Sequence, residues 1–206
     1  MLRLDVQELA EAIRQLKAGA VILFPTETTY GIGCDDTNAA AVARVVAIKA
    51  RSREKGLPLI LPPEAEPEMY VKLSPRAKEL AAEYWPGPLN IIAPRQPTTP
   101  VAALCERHGE QSVRKSSDPI AAALARGLGQ PLVATSANPS GGDPTYDSRR
   151  LPRMFGRKNA PDFYLDAGVL QRSPASTTVR LSGDKLAVLR QGGVRLDLSL
   201  DNEAGW

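Results

Sequence analysis

Short apolar runs that alternate with helical segments constrain the fold of this chain more than any other feature of its sequence. Four runs have the length of a buried strand and are too short for a core helix: 20–24, 57–61, 89–93 and 131–135. Helical periodicity or helix-start residues mark four segments around them: about 5–18, 38–49, 74–84 and 118–127. Shorter strand-like pieces are found at four further places: 112–114, 163–166, 177–181 and 186–190. Because the last three follow one another without helices, the pattern predicts an α/β protein with a mixed sheet.

The chain of 206 residues has neither an internal repeat nor a long linker. We therefore predict one domain over residues 1–200, followed by a poorly ordered tail at 201–206. No apolar run approaches the roughly 20 residues that span a bilayer. The first helix carries acids where a signal peptide has a basic segment followed by an apolar one. These features predict a cytoplasmic protein that makes no membrane contact.

Composition argues against several kinds of active site. The chain has a single histidine, His108, and two cysteines, Cys34 and Cys105, which lie far apart in the sequence. A Ser-His-Asp triad and a multi-histidine metal site are therefore disfavoured, and the cysteines are expected to be buried thiols rather than a disulfide. The sequence contains no P-loop, C-x-x-C or H-E-x-x-H motif. The glycine pair at 31–33 lacks the third glycine of a dinucleotide fingerprint and predicts a tight turn.

The segment Pro25–Gly31, PTETTYG, is polar although it directly follows a predicted buried strand. Ligands in α/β proteins bind beyond the carboxyl ends of strands, so these hydroxyl groups are placed to line a pocket for a small polar molecule. A polar turn without a ligand is the alternative interpretation.

A cluster of cations follows the second predicted helix. Four Lys and Arg residues fall within 49–55, and Lys49, Arg51 and Lys55 can be presented together where the helix ends. Guanidinium and ammonium groups in such a cluster suit phosphate. The alternative is that the cations complement the negative end of the helix dipole and bind nothing.

The loop 135–145, TSANPSGGDPT, begins where another predicted strand ends and contains hydroxyl groups, an amide and glycines. Glycines allow backbone amides to approach an anion closely, and loops of this kind often bind ligands. A solvated loop is the alternative interpretation.

Together these segments resemble the YrdC-type family, the threonylcarbamoyl-adenylate synthases. The resemblance extends roughly from Ala10 to Gly192 and rests on the following motifs: PTET-x-YG-x-G, K-x-R followed by K-G-x-x-L, WPGPL, V-R before a D-P helix start, S-A-N-x-S-G, S-T-x-V and L-R-x-G. It implies a YrdC/RibB-like fold of a single catalytic domain, in which helices flank a twisted mixed β-sheet and a concave basic cleft. This chain has Asn90 where family members commonly have threonine after the WPGPL motif.

The resemblance also implies a reaction: L-threonine, bicarbonate and ATP form threonylcarbamoyl-AMP and pyrophosphate. The product would supply a downstream tRNA threonylcarbamoyl transferase, which modifies an adenosine next to the anticodon. ATP is then a substrate, Mg²⁺ is expected to bind with its triphosphate, and a weak contact with tRNA or double-stranded RNA is a further expectation.

Site residues follow from the matched motifs. The resemblance implies a catalytic set: Lys49, Arg51, Ser136 and Asn138. It implies ATP contacts from six residues: Arg51, Lys55, Arg114, Asn138, Thr145 and Arg190. It implies threonine contacts from three: Thr28, Ser136 and Ser176. No protein ligand for a metal is implied.

Two alternative functions remain open from the sequence. The first is an RNA-binding or translation-associated protein that uses the basic cleft. A net charge of +3 and 5% aromatic residues argue mildly against it, because they provide little positive charge and few side chains on which bases could stack. The second is a related enzyme that transfers a carbamoyl group to another substrate. The presence of both Lys49-Ala50-Arg51 and Ser136-Ala137-Asn138 favours the synthase over this second alternative.

Overall fold

The computed structural model describes five stretches of the chain: 6–52, 56–98, 102–155, 160–182 and 185–196. Lys55, Asp5 at the start of the first predicted helix, and the tail 201–206 lie outside these ranges. Within them the structure is mixed α/β, as the alternating pattern predicts. None of the described helices has both the length and the apolar character that crossing a bilayer requires.

The described residues form five α-helices: α1 Val6–Lys17, α2 Ala39–Ile48, α3 Pro75–Tyr84, α4 Pro119–Leu128 and α5 Leu151–Met154. Local sequence determines where three of them begin. The side chains of Asn38, Ser74 and Asp118 accept hydrogen bonds from backbone N–H groups in the first turn of α2, α3 and α4. Gly129 ends α4 with a φ of 76°, the left-handed conformation that glycine adopts without strain.

Ten strands lie within the part of the chain that the structure describes: β1 Ile22–Phe24, β2 Gly31–Gly33, β3 Leu59–Ile60, β4 Leu89–Pro94, β5 Glu110–Arg114, β6 Leu132–Val133, β7 Thr135–Ser136, β8 Phe163–Tyr164, β9 Thr177–Ser182 and β10 Lys185–Arg190. They form two mixed sheets. The smaller has the order β7-β2-β1-β8, and the larger has the order β10-β9-β4-β5-β3-β6. In the larger sheet β4 lies between β5, which is antiparallel to it, and β9, which is parallel.

The two sheets are joined by the chain at 132–136, where the sequence pattern predicted one strand. Leu132 and Val133 pair with β3 in the larger sheet, whereas Thr135 and Ser136 pair with β2 in the smaller one. The apolar run therefore contributes to both sheets, and hydrophobicity alone does not show where it changes partner.

The prediction of a tight turn at Gly31–Gly33 was wrong, because this segment is β2 and pairs with both β1 and β7. Its glycines are required by close packing rather than by turning. A Cβ atom at Gly33 would lie 1.7 Å from the carbonyl oxygen of Val133, so only glycine lets the two backbones approach.

Two buried apolar clusters stabilise this arrangement. One lies between α1, α4 and the neighbouring strands, and it includes Leu16, Phe24 and Leu124. The other packs α2 and α3 against the sheets through residues such as Val42 and Leu80. Burying side chains of this size contributes roughly 1.5–3 kcal/mol each. Both cysteines are buried thiols without a disulfide, as predicted.

Candidate active site

A cavity of about 440 Å³ is lined by residues of both sheets and by the loops that follow β1 and β7. One of its walls is the polar face of the larger sheet. Along β4, Asn90 and Ile92 face the cavity, while the alternate residues Leu89 and Ile91 are buried in the core. Because side chains alternate between the two faces of a strand, the same sheet provides core on one side and a polar wall on the other.

Most of the residues that the resemblance singled out meet at this cavity. Seven of them line it: Thr28, Arg51, Arg114, Ser136, Asn138, Ser176 and Arg190. Lys49 and Thr145 are buried beside it and are not among its lining residues. Lys55 lies outside the described residues. The sequence motifs, which are distributed over the whole chain, therefore converge in space.

Three arginines bring positive charge to the cavity, and none of the described residues that line it is acidic. Arg51 Nη2 donates to the carbonyl oxygen of Gly56 at 2.9 Å, and Arg190 Nε donates to that of Ser176 at 2.9 Å. Burial lowers the pKa of Arg51 and of Arg190, and in each case the charge of another arginine lowers it further, Arg190 for Arg51 and Arg114 for Arg190. Like charges held together at a partly buried surface favour an anionic ligand, since the ligand relieves their repulsion.

The third arginine is held by an acid that the sequence interpretation did not single out. Arg114 Nε donates to Glu27 Oε1 at 3.1 Å, and the two side chains are only 5% and 11% exposed. Ser116 Oγ donates to the other carboxylate oxygen of Glu27 at 2.6 Å. Glu27 follows β1 of the smaller sheet and Arg114 ends β5 of the larger one, so this ion pair connects the two sheets beside the cavity. An acid within a turn of hydroxyl residues was the only sequence signal of this role.

The PTET turn that carries Glu27 is fixed by its own threonines. Thr26 Oγ1 accepts the backbone N–H groups of Thr28 and Thr29, both at 3.2 Å, and donates to the carbonyl oxygen of Thr29 at 2.7 Å. Ser173 Oγ donates to the carbonyl oxygen of Glu27 at 2.7 Å. Thr28, which lines the cavity, therefore occupies a defined position before any ligand binds.

Lys49 holds the Ser136-Ala137-Asn138 loop through hydrogen bonds to its backbone. Its Nζ donates to the carbonyl oxygens of Ser136 and Asn138, the latter at 2.6 Å, while its own carbonyl accepts the N–H of Ser140 at 2.7 Å. Burial, with a smaller contribution from the charge of Arg51, lowers the pKa of Lys49 to about 8. The ammonium group thus fixes the position of the loop, and with it Ser136 and Asn138, which line the cavity.

Asn138 is oriented by two hydrogen bonds that its amide nitrogen donates, to the carbonyl oxygens of Pro139 at 2.9 Å and Gly142 at 2.7 Å. Its amide oxygen has no hydrogen-bond partner among the described residues. A buried acceptor in that state is destabilising unless a ligand donates to it.

Thr145 stabilises the neighbouring backbone and does not line the cavity. Its side chain bonds to the backbone of Asp147, and its carbonyl oxygen accepts the N–H of Tyr30.

Known proteins resemble this chain over most of its length. A protein family described as Sua5_yciO_yrdC, telomere recombination, matches residues 14–192. A threonylcarbamoyl-AMP synthase of Methylobacillus flagellatus is 38% identical over 142 residues, which are 68% of this chain and 78% of that protein. Another, of Thiobacillus denitrificans, is 36% identical over 83% of this chain and 89% of its own length.

Solved structures of the same family have a similar fold. The structure of P. abyssi Sua5 complexed with L-threonine has a TM-score of 0.85 at 27% identity, and covers 93% of this chain and 56% of the Sua5 chain. This chain therefore spans just over half the length of that protein. E. coli YciO has a TM-score of 0.78 at 25% identity over 94% of this chain and 92% of its own. The chain belongs to the Sua5/YciO/YrdC family, and the resemblance in its motifs is confirmed.

Proposed function

We propose that this protein is a threonylcarbamoyl-AMP synthase, which converts L-threonine, bicarbonate and ATP into threonylcarbamoyl-AMP and pyrophosphate. The observation that supports this most is the convergence of Arg51, Arg114 and Arg190 on a cavity without acidic lining residues among those described. Its lining also carries hydroxyl and amide groups that suit an amino acid and a nucleotide. Relatives that bear the synthase name match most of the chain.

The chemistry requires little acid–base catalysis from side chains, which suits a cavity that lacks histidine and acids among its described lining residues. The amine of threonine condenses with bicarbonate: a carbon–nitrogen bond forms, water leaves, and the product is a carbamate. A carbamate oxygen then attacks the α-phosphorus of ATP, and the bond from that phosphorus to the bridging oxygen breaks to release pyrophosphate. Positioning and concentrated positive charge supply the catalysis, because negative charge accumulates on the departing phosphates.

The residues divide between the parts of the substrates. Arg51 and Arg190, with Lys55, would hold the triphosphate, and Arg114 would be a further anion contact. Ser136 and Asn138 would orient the nucleotide and the reacting phosphate, while Thr28 and Ser176 would contact threonine. Lys49 and Thr145 are buried and do not line the cavity. We therefore expect both to stabilise the loop and not to contact the substrate.

Mg²⁺ is expected to enter with ATP. The described residues contain no group of three or more His, Cys, Asp or Glu side chains that could hold a metal. Mg²⁺ at nucleotide sites is bound largely by phosphate oxygens and water, with few protein ligands. The protein therefore fits a cation that is carried by the triphosphate and neutralises part of its charge. A downstream tRNA threonylcarbamoyl transferase, a weak contact with RNA and a cytoplasmic location remain predictions.

Pyrophosphate release tests the proposal. The purified protein should release pyrophosphate only when ATP, threonine and bicarbonate are all present. Arg51→Gln should lower the rate at least about tenfold, which corresponds to about 1.4 kcal/mol of lost transition-state stabilisation. Arg149→Gln is a matched control, because this arginine is exposed, paired with Asp147 and absent from the cavity wall. Pyrophosphate release without threonine would contradict the proposal.

A further inference from the structure

A second, smaller cavity of about 220 Å³ opens beside the first and shares part of its wall. Arg51, Gly56, Ile92 and Ser112 line both cavities. A group held at Arg51 can therefore face either space. We call the smaller cavity the side pocket.

Two further arginines, Arg107 and Arg180, line the side pocket, and Glu110 is the acid among its described lining residues. Arg180 Nε lies 3.1 Å from Glu110 Oε2, so this carboxylate partly neutralises one of the cations. With Arg51 included, three cations face one anion. The described lining of the side pocket therefore carries a net positive charge.

Arg107 is presented by a rigid turn. Its N–H donates to the carbonyl oxygen of Glu110 at 2.9 Å, and the N–H of Glu110 donates back at 2.8 Å. The two residues between them, His108 and Gly109, have φ values of 51° and 75°, as the tightest two-residue hairpin turns require. The exposed His108 is therefore a residue of this turn. The turn holds Arg107 and Glu110 side by side at the pocket.

We propose that the side pocket is an anion subsite that receives the pyrophosphate released at Arg51. This inference rests on the proposed function. When the bond between the α-phosphorus and the bridging oxygen breaks, the electron pair of that bond stays on the pyrophosphate, which gains negative charge. Arg107 and Arg180 line the side pocket together with Arg51 and do not line the first cavity, so they would stabilise that charge away from the nucleotide and the threonine groups. Glu110 would compete with the product for Arg180 and so limit its residence time.

Calorimetric titration of inorganic pyrophosphate into the full chain tests this without any need for turnover. Arg107→Gln should weaken pyrophosphate binding about fivefold to tenfold, the size expected for one ionic hydrogen bond from an exposed side chain. Glu110→Gln should strengthen it, because it removes the competing carboxylate. Arg149→Gln should leave it unchanged. Melting temperatures of all variants report whether the fold is retained, and the opposite signs of the first two effects cannot both arise from unfolding.

The KM for ATP shows whether Arg107 binds the released pyrophosphate or the phosphates of ATP before the reaction. Arg107→Gln should change it less than about twofold, since the bound nucleotide is held in the main cavity. An equal rise in the KM for ATP and the Kd for pyrophosphate would assign the arginines to the phosphates of ATP and overturn the release subsite. Equal pyrophosphate affinity in wild type and Arg107→Gln would also overturn it. If wild type binds pyrophosphate through Arg107 yet makes no product from threonine, the subsite stands and the proposed function fails.

Discussion

The Glu27–Arg114 ion pair should couple the stability of the fold to the shape of the cavity, and Glu27→Gln is the substitution that tests it. Glutamine keeps the size of the side chain and one acceptor oxygen but removes the charge. Arg114 would then remain buried, at 5% exposure, without its counter-charge. Removing one partner of a buried ion pair costs about 3–5 kcal/mol. Since glutamine can still accept one hydrogen bond, we expect a loss of about 1–3 kcal/mol in the free energy of unfolding.

A double-mutant cycle separates the pair from its surroundings. Urea unfolding of wild type, Glu27→Gln, Arg114→Gln and the double variant should give a coupling energy of about 1–3 kcal/mol. Glu64→Gln is the matched control, because Glu64 and Arg126 form an ion pair at 2.6 Å whose side chains are 62% and 56% exposed. That substitution should leave the free energy of unfolding nearly unchanged, because water and salt screen an exposed pair.

Activity provides the second measurement in the same variants. If Glu27 orients Arg114 at the cavity, Glu27→Gln should lower kcat/KM by about tenfold or more at temperatures where the variant is folded. Glu64→Gln should leave kcat/KM unchanged. Equal effects of Glu27→Gln and Glu64→Gln on both stability and activity would refute the role that we assign to the ion pair.

Two further predictions concern the fold that carries the site. Burial raises the pKa of Asp36 to about 8, so the folded state retains a proton that the unfolded state releases at its ordinary pKa. The free energy of unfolding should therefore fall as the pH rises from about 4 to about 8, and Asp36→Asn should remove this slope in urea titrations at several pH values; an unchanged slope would contradict the assignment. Gly33→Ala should lower the melting temperature sharply, because its Cβ would meet Val133 O at 1.7 Å, whereas Gly193→Ala, with its nearest neighbour at 3.7 Å, should have little effect. Similar melting temperatures for the two glycine variants would contradict the packing of β2.

Helix boundaries could be predicted because their signals are local. Asn38, Ser74 and Asp118 cap helices through backbone groups only two or three residues away. Apolar runs together with the shorter strand-like pieces likewise identified the described strands other than β2. Sheet membership could not be predicted from those runs, since the change of partner between Val133 and Thr135 depends on β2 and β3, which lie far away in the sequence.

The site was predictable to the extent that its residues stand in motifs. Seven of the residues singled out from the sequence line the main cavity. The direction of Lys49 could not be inferred, because its ammonium bonds to carbonyl groups 87 and 89 residues away. For the same reason Glu27 escaped notice: its partner Arg114 is also 87 residues away. Contacts of this kind are set by tertiary packing and leave no local pattern.

The central claim is that threonine and bicarbonate are joined and transferred to AMP in the main cavity. Incubation with ATP, threonine and ¹³C-labelled bicarbonate, followed by mass spectrometry, tests it most directly. The account predicts threonylcarbamoyl-AMP that carries one labelled carbon, and its loss when threonine is omitted or Arg51 is replaced by glutamine. Absence of the labelled adduct while ATP is consumed, or an adduct that forms equally well without threonine, would contradict it.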